Sequence, residues 1–113
     1  MPRWTRLRKI ADKKAWYGKD FDNDDPACYE LWIGKSRSQA RPVYIGETDN
    51  ETRRMKEYAS HGSHLSEIID EYLNRGYSLY YRAIALPSKK AAEQMQDNLL
   101  MKFRYDWNIL GNP

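Results

Sequence analysis

The chain has 113 residues, 41% of them hydrophobic and 31% charged, which suits one soluble domain with a modest core and needs no disulfide staples. Its formal charge of +3 and pI near 9.0 allow an anionic partner without demanding one. Cys28 is the lone cysteine, so no intrachain disulfide is possible. The start, MPRWTRLRKIADKK, is too charged for a signal peptide, and no apolar run is long enough to cross a membrane. A reducing compartment is therefore expected, cytoplasmic (nucleoid-associated) or nuclear, without secretion.

Residues 5 to 16 have a helical pattern: Leu7, Ile10, Ala11 and Ala15 on one face, with Arg3, Arg6, Lys9 and Lys13 along a neighbouring strip. GKDFDNDDP then reads as a surface loop. ACYELWIG alternates Tyr29, Leu31 and Ile33 with Cys28, Glu30 and Trp32, as a strand does, and after the polar turn KSRSQARP a second strand, VYIG, ends at Gly46. A single loop between two strands predicts an antiparallel hairpin. Asp49 or Asn50 can cap a helix through TRRMKEYAS, closed by Gly62. Ser63 can cap another over HLSEIIDEYLNR, whose Leu65, Ile68, Ile69, Tyr72 and Leu73 make an apolar stripe, closed by Gly76. YSLYYRAIAL is a third strand, and Pro87 and Ser88 open a last helix to about Arg104. The expectation is a single domain of α+β fold, a three-stranded antiparallel sheet flanked by helices in the order β-β-α-α-β-α over residues 27 to 110, preceded by a basic helical arm and loop over residues 1 to 26.

Tyr29 on the first strand, Tyr44, Ile45 and Gly46 on the second, Arg54 ten residues after Tyr44, Tyr58 one turn later and Asn108 near the end stand in a telling order. This set resembles the GIY-YIG nuclease family, over roughly residues 27 to 108. The first half-motif is degenerate, ACY in place of GIY, and the loop between the halves is longer than in the commonest members. The resemblance implies a DNA endonuclease that hydrolyses phosphodiester bonds in double-stranded DNA with one divalent ion, Mg²⁺ or Mn²⁺, leaving 5′-phosphate and 3′-hydroxyl ends. It assigns Tyr29, Tyr44, Arg54 and Tyr58 to the site.

The family's metal-binding glutamate lies on the last helix, preceded by small and apolar residues and followed by an apolar pair three and four positions on. Ala92 and Met95 before, and Leu99 and Leu100 after, place Gln96 at that position. Glutamine keeps the shape and one carbonyl oxygen but lacks the charge, so metal affinity falls and DNA binding with little or no cleavage is expected. Two origins suit Gln96: an introduced substitution that traps a nuclease, or a natural one that leaves a DNA-binding module or recruits Glu93 instead. A chain with one site cuts both strands by dimerising or by acting twice, so a homodimer on DNA is a further expectation.

Each residue also has a plainer reading. Tyr29 and Tyr44 are favoured in strands anyway, Arg54 beside Arg53 and Lys56 could be a solvated helix face, Tyr58 could simply pack, and Asn108 could close a turn. His61 and His64 lack further ligands at zinc spacing and suit helix ends or a phosphate contact. DFDNDD resembles the start of a calcium loop but lacks its glycine and has Leu31 at the twelfth position. The arm cations, with Arg53 and, less so, Arg82, Lys102 and Arg104, are candidates for sequence-independent phosphate contacts. Two other readings remain: a non-catalytic DNA-binding or regulatory module on the same fold, and an interaction domain unrelated to nucleic acid.

Overall fold

The computed structural model describes residues 3–60 and 62–110. Four strands, β1 (Arg8–Ala11), β2 (Ala27–Gly34), β3 (Arg41–Thr48) and β4 (Ser78–Ala85), form one antiparallel sheet in the order β1-β4-β2-β3. The α+β class is as expected; the strand count is not. The extra strand is β1, which replaces the helix expected over residues 5 to 16. Helix propensity separates ordinary residues by at most about 0.7 kcal/mol, whereas burying an isoleucine contributes about 2 kcal/mol. Ile10 and Ala11 are fully buried against the sheet. The edge of β4 also needs partners for its backbone. Thr5 N donates to Ala83 O at 2.8 Å, and Ala83 N donates to Thr5 Oγ1 at 3.0 Å. Non-local pairing outweighs the local pattern.

The expected surface loop before β2 is partly buried. It holds a 3₁₀ turn (Gly18–Asp20) and tucks Phe21 under the sheet. β2 and β3 pair as the predicted hairpin, with a bulge where Leu31 faces Tyr44 but Trp32 faces Pro42. The extra residue, Val43, lets both Val43 and Tyr44 pack on one side of the sheet.

Helix α1 (Glu51–Ala59) starts at Asn50, whose side chain accepts from Arg53 N at 2.9 Å. Such a cap contributes about 1 kcal/mol. Asp49 instead pairs with the Arg53 side chain. Helix α2 (Ser66–Asn74) begins later than expected, because Ser63 Oγ accepts from Leu65 N (3.2 Å) and so shapes the turn before the helix. Its end matches expectation. Gly76 takes φ 90°, with Gly76 N bonded to Leu73 O and Tyr77 N to Tyr72 O, both at 3.1 Å, a Schellman closure that a residue with Cβ resists. Helix α3 (Lys89–Lys102) is capped by Ser88, which accepts from Ala91 N at 3.1 Å. A short helix, α4 (Asp106–Leu110), follows and was not expected.

The sheet has two covered faces. Tyr29, Leu31, Ile33, Leu79 and Tyr81 meet α1 and α2 through Met55, Tyr58, Ile69 and Leu73. On the other face, Cys28, Ile45 and Ile84 meet Met95 and Leu99 of α3. After α3 the chain rounds the open edge of β3: Tyr105 joins the second cluster and Trp107 the first. Asn108 closes that edge. Ile45 N donates to Asn108 Oδ1 at 2.8 Å, and Asn108 Nδ2 donates to Ile45 O at 2.9 Å, so one side chain imitates a neighbouring strand. Asn108→Ala leaves both backbone groups unpaired and is expected to cost about 1–3 kcal/mol. The urea midpoint reads this; an unchanged midpoint would contradict the edge-closing role.

Candidate functional site

Strand alternation sends Tyr29 to the face covered by α1, where it is 1% exposed. Directly across the ladder lies Gly46. The Tyr29 hydroxyl rests over the glycine, since a Cβ on Gly46 would stand 2.4 Å from Tyr29 Oη. From α1, Arg54 and Tyr58 come four residues apart and therefore share a side. The Tyr29 and Tyr58 hydroxyls share a hydrogen bond of 2.7 Å. Arg54 Nε donates to Tyr29 Oη at 3.2 Å, while Arg54 Nη1 donates to Glu57 Oε1 at 2.8 Å. Its guanidinium carbon lies 4.7 Å from the Tyr58 ring centre. Tyr44 completes the group: its ring centre is 6.4 Å from that of Tyr29 and 5.8 Å from that of His64. Five residues far apart in sequence thus meet: Tyr29, Tyr44, Arg54, Tyr58 and His64.

Burial dominates the protonation of this cluster. It pushes the Tyr29 hydroxyl from 10.0 up to about 12, against the opposing pull of the Arg54 charge. Tyr58 and Tyr44 are raised for the same first reason. Arg54 is held charged by the tyrosine oxygens and Glu57, despite its partial burial. His64 is lowered by burial and then by Arg54, so it is neutral at pH 7. At neutral pH the site is the Arg54–Glu57 ion pair among neutral hydroxyls. The sign of the linkage follows: the folded Tyr29 value lies above the unfolded one, so its contribution is complete below pH 10 and is lost as pH rises through about 12. Stability against urea should stay level up to about pH 10 and fall between there and about 12. A loss beginning well below pH 10 would contradict the burial of these hydroxyls.

Sequence reasoning missed the group beneath α1. Glu51 is 3% exposed, and its carboxylate accepts from Tyr81 Oη at 3.0 Å and Asn23 Nδ2 at 2.9 Å. Thr52 Oγ1 donates to Asn23 O at 2.7 Å, and Glu51 N donates to Asp25 O at 3.1 Å. These bonds tie the loop before β2 to the first turn of α1 and so hold Arg54 in place. Asn23 and Glu51 are 28 residues apart, beyond any local pattern.

The remaining expected residues are dispersed. The arm cations Arg3, Arg6, Lys9 and Lys13 lie in or beside β1, at the opposite edge of the sheet from β3. Lys9 is paired with Asp12 at 2.7 Å. Arg82 lies on the α3 face, bonded to Glu30 at 2.5 Å, and both polar groups of Asn108 are taken by Ile45. Arg53, Lys102 and Arg104 are exposed, and His61 lies outside the described residues. On α3, the covered stripe is Ala91, Ala92, Met95, Gln96 and Leu99, while Glu93 and Asp97 are exposed. No hydrogen bond or ring contact joins Gln96 to the tyrosine cluster among the described residues.

A hard divalent cation asks for at least one carboxylate and keeps most of its waters. Here Glu57 is held by Arg54, and Lys89 lies 3.4 Å from Glu47 and 2.6 Å from Glu93. No group of three or more Asp, Glu, His or Cys gathers among the described residues. Gln96 offers only a neutral carbonyl oxygen. This donor set does not fit a Mg²⁺ or Mn²⁺ centre.

Comparison with known proteins adds two findings. A family model described as "GIY-YIG domain-containing protein" matches residues 22–113. A relative from Arabidopsis thaliana, "Protein EFFECTOR OF TRANSCRIPTION 3", is 35% identical over 71 residues, which is 62% of this chain and 26% of the relative. The chain therefore spans about a quarter of that protein's length. No solved structure matches it.

Proposed function

The chain belongs to the GIY-YIG family, a family of nucleases, and from that premise we propose that it binds double-stranded DNA at the Tyr29–Arg54–Tyr58 cluster with little or no cleavage. The observation that carries this reading is the guanidinium of Arg54, fixed by Tyr29 and Glu57 beside two further hydroxyls. A phosphate needs a charge already aimed at it, and a guanidinium presents several N–H donors in one plane. Nε and Nη1 are spoken for by Tyr29 and Glu57, and those bonds set the plane in which the fork meets a phosphate.

Tyr29 and Tyr58 share one O–H···O bond, so a proton can pass between them without rearrangement of either ring. At neutral pH both hydroxyls keep their protons, and Tyr29 acts as a donor or relay rather than as a ready base. Tyr44 and His64 form the other wall, with a neutral imidazole able to accept a proton. The family resemblance implies that a glutamate at position 96 of the last helix would hold a divalent ion, which would supply charge neutralisation for a phosphate. The amide of Gln96 lacks that charge. Single-domain organisation, residence with DNA in the cytoplasm or nucleus, and pairing of two copies on DNA accompany this reading.

The test is fluorescence anisotropy with a labelled duplex across a salt series. Affinity should fall steeply with salt, and Arg54→Ala should weaken it by about tenfold or more, as loss of a charged hydrogen bond worth roughly 1.5–3 kcal/mol would. Binding that is absent, or indifferent to both salt and Arg54, would sink the assignment. A second reading, a regulatory module without catalysis, is favoured by the name of the Arabidopsis thaliana relative. It shares the DNA contact and differs only in what a carboxylate at position 96 would do.

A further inference from the structure

The face of the sheet that carries α3 is only half covered. α3 lies on β3 and β2. Toward β4 and β1 the same face presents Trp32 opposite Tyr80 and Glu30 opposite Arg82. Water-facing strand positions are normally polar, yet here Trp32 and, from the arm, Trp4 stand half-buried. Cations already lie against the rings. The Arg82 guanidinium is 4.4 Å from the Trp4 ring and 5.3 Å from the Trp32 ring, Arg37 is 5.3 Å from Tyr80, and Lys9 is 4.9 Å from Tyr17.

The local acids are neutralised. Glu30 accepts from Arg82 Nε and Tyr105 Oη, each at 2.5 Å, and from Trp32 Nε1 at 3.0 Å. Asp12 is bound by Lys9. Lys9 and Arg37 also line a groove of about 690 Å³ along β1, shared with Arg6, Tyr17 and Phe21, in which Asp20 is the single acidic residue. Trp32 and Tyr80 on the α3 face thus lead past Arg37 into this groove, which rounds the β1 edge and carries Arg6 and Arg37 as its exposed cations.

We propose that this surface binds single-stranded nucleic acid, with bases stacking at Trp32 and backbone phosphates held by Arg37 and Arg6. Charge alone would suit any polyanion; the rings decide the class. A duplex hides its base faces and an acidic peptide has none, whereas an unpaired strand offers both flat bases and regular phosphates. The inference goes beyond the duplex reading and uses a different face of the molecule. A domain with both surfaces could grip a duplex on one side and a displaced strand on the other.

The experiment is anisotropy with a dye-labelled oligothymidylate of about 12 nucleotides, run beside the labelled duplex. The parent should bind the oligonucleotide with strong salt dependence and quenching of tryptophan fluorescence. Trp32→Ala and Arg37→Glu should each weaken that binding by about fivefold or more and leave duplex affinity within about twofold. Arg54→Ala should do the reverse. Circular dichroism checks folding; if Trp32→Ala is disturbed, Arg37→Glu, at an exposed position, decides. Failure of the parent to bind, unchanged binding by Arg37→Glu, or displacement by polyglutamate as effective as by unlabelled oligonucleotide would overturn the proposal. None of these results touches the duplex reading, which stands or falls with Arg54.

Discussion

Under the proposed function, Gln96→Glu is expected to let the chain nick duplex DNA in the presence of Mg²⁺ or Mn²⁺. The single amide-to-carboxylate change adds no bulk. It places a charge on the covered stripe of α3, between Met95 and Leu99, where half-burial raises its effect above that of a solvated acid. On the same helix, Lys89 reaches Glu47, which adjoins Gly46, so α3 covers β3 from the face opposite the one on which Tyr44 packs. A charged group of this kind contributes about 10²–10³ in rate where it meets charge developing in the transition state. Conversion of supercoiled plasmid to open circle, compared for parent and variant, measures it. Persistent inactivity of the variant with duplex binding intact would favour the regulatory reading. Equal cleavage by both forms would transfer the ligand role to Glu93, now 48% exposed and paired with Lys89.

Gly46→Ala is expected to damage the sheet and the site together. Its methyl group would stand 2.4 Å from Tyr29 Oη, 2.5 Å from Cζ and 3.0 Å from Cε1. A surface side chain would swing away from such a contact. Tyr29 cannot do so cheaply, because its ring is 1% exposed and its hydroxyl is bonded to Tyr58 and Arg54. Overpacking of a filled core costs about 1–3 kcal/mol. The variant should therefore melt several degrees lower and also lose duplex affinity, as Tyr29 drags Arg54 out of line. Gly76→Ala offers the contrast: no neighbour lies within 4 Å of its added Cβ, and the strain comes only from φ 90°. That change should cost about 1 kcal/mol and leave DNA binding untouched. If Gly46→Ala kept full stability and affinity, the Tyr29 hydroxyl could not be resting on that glycine.

Much of the site was legible in residue order, because the chemistry is concentrated in short local patterns. Tyr29 and the Tyr44-Ile45-Gly46 run sit on strands that alternation alone predicts, and Arg54 and Tyr58 share a helix side by their four-residue spacing. Asn50, Ser88 and Gly76 announce helix ends because caps act within a few residues. Helical spacing also puts Gln96 on the covered side of α3 with Ala92, Met95 and Leu99. Leu100, the second of the expected apolar pair, is instead 38% exposed, because α3 covers the sheet with a narrower stripe than the pattern offers.

The tertiary structure decided whatever depends on groups brought from a distance. Residues 8 to 11 carry a helical pattern, yet they are a strand, since the edge of β4 and the pocket for Ile10 exist only once the sheet has formed. Asn108 looked like a site residue and turns out to close the edge of β3, a demand set by strand order. Glu51 was an ordinary helix-start acid until Tyr81 and Asn23 arrived to fill its carboxylate. The open half-face with Trp32, Tyr80 and Arg82 follows from where α3 comes to rest. A sequence can state which residue types suit a strand or a helix. Which face a helix covers, and which it leaves bare, is settled by competition among packed surfaces that no local window contains.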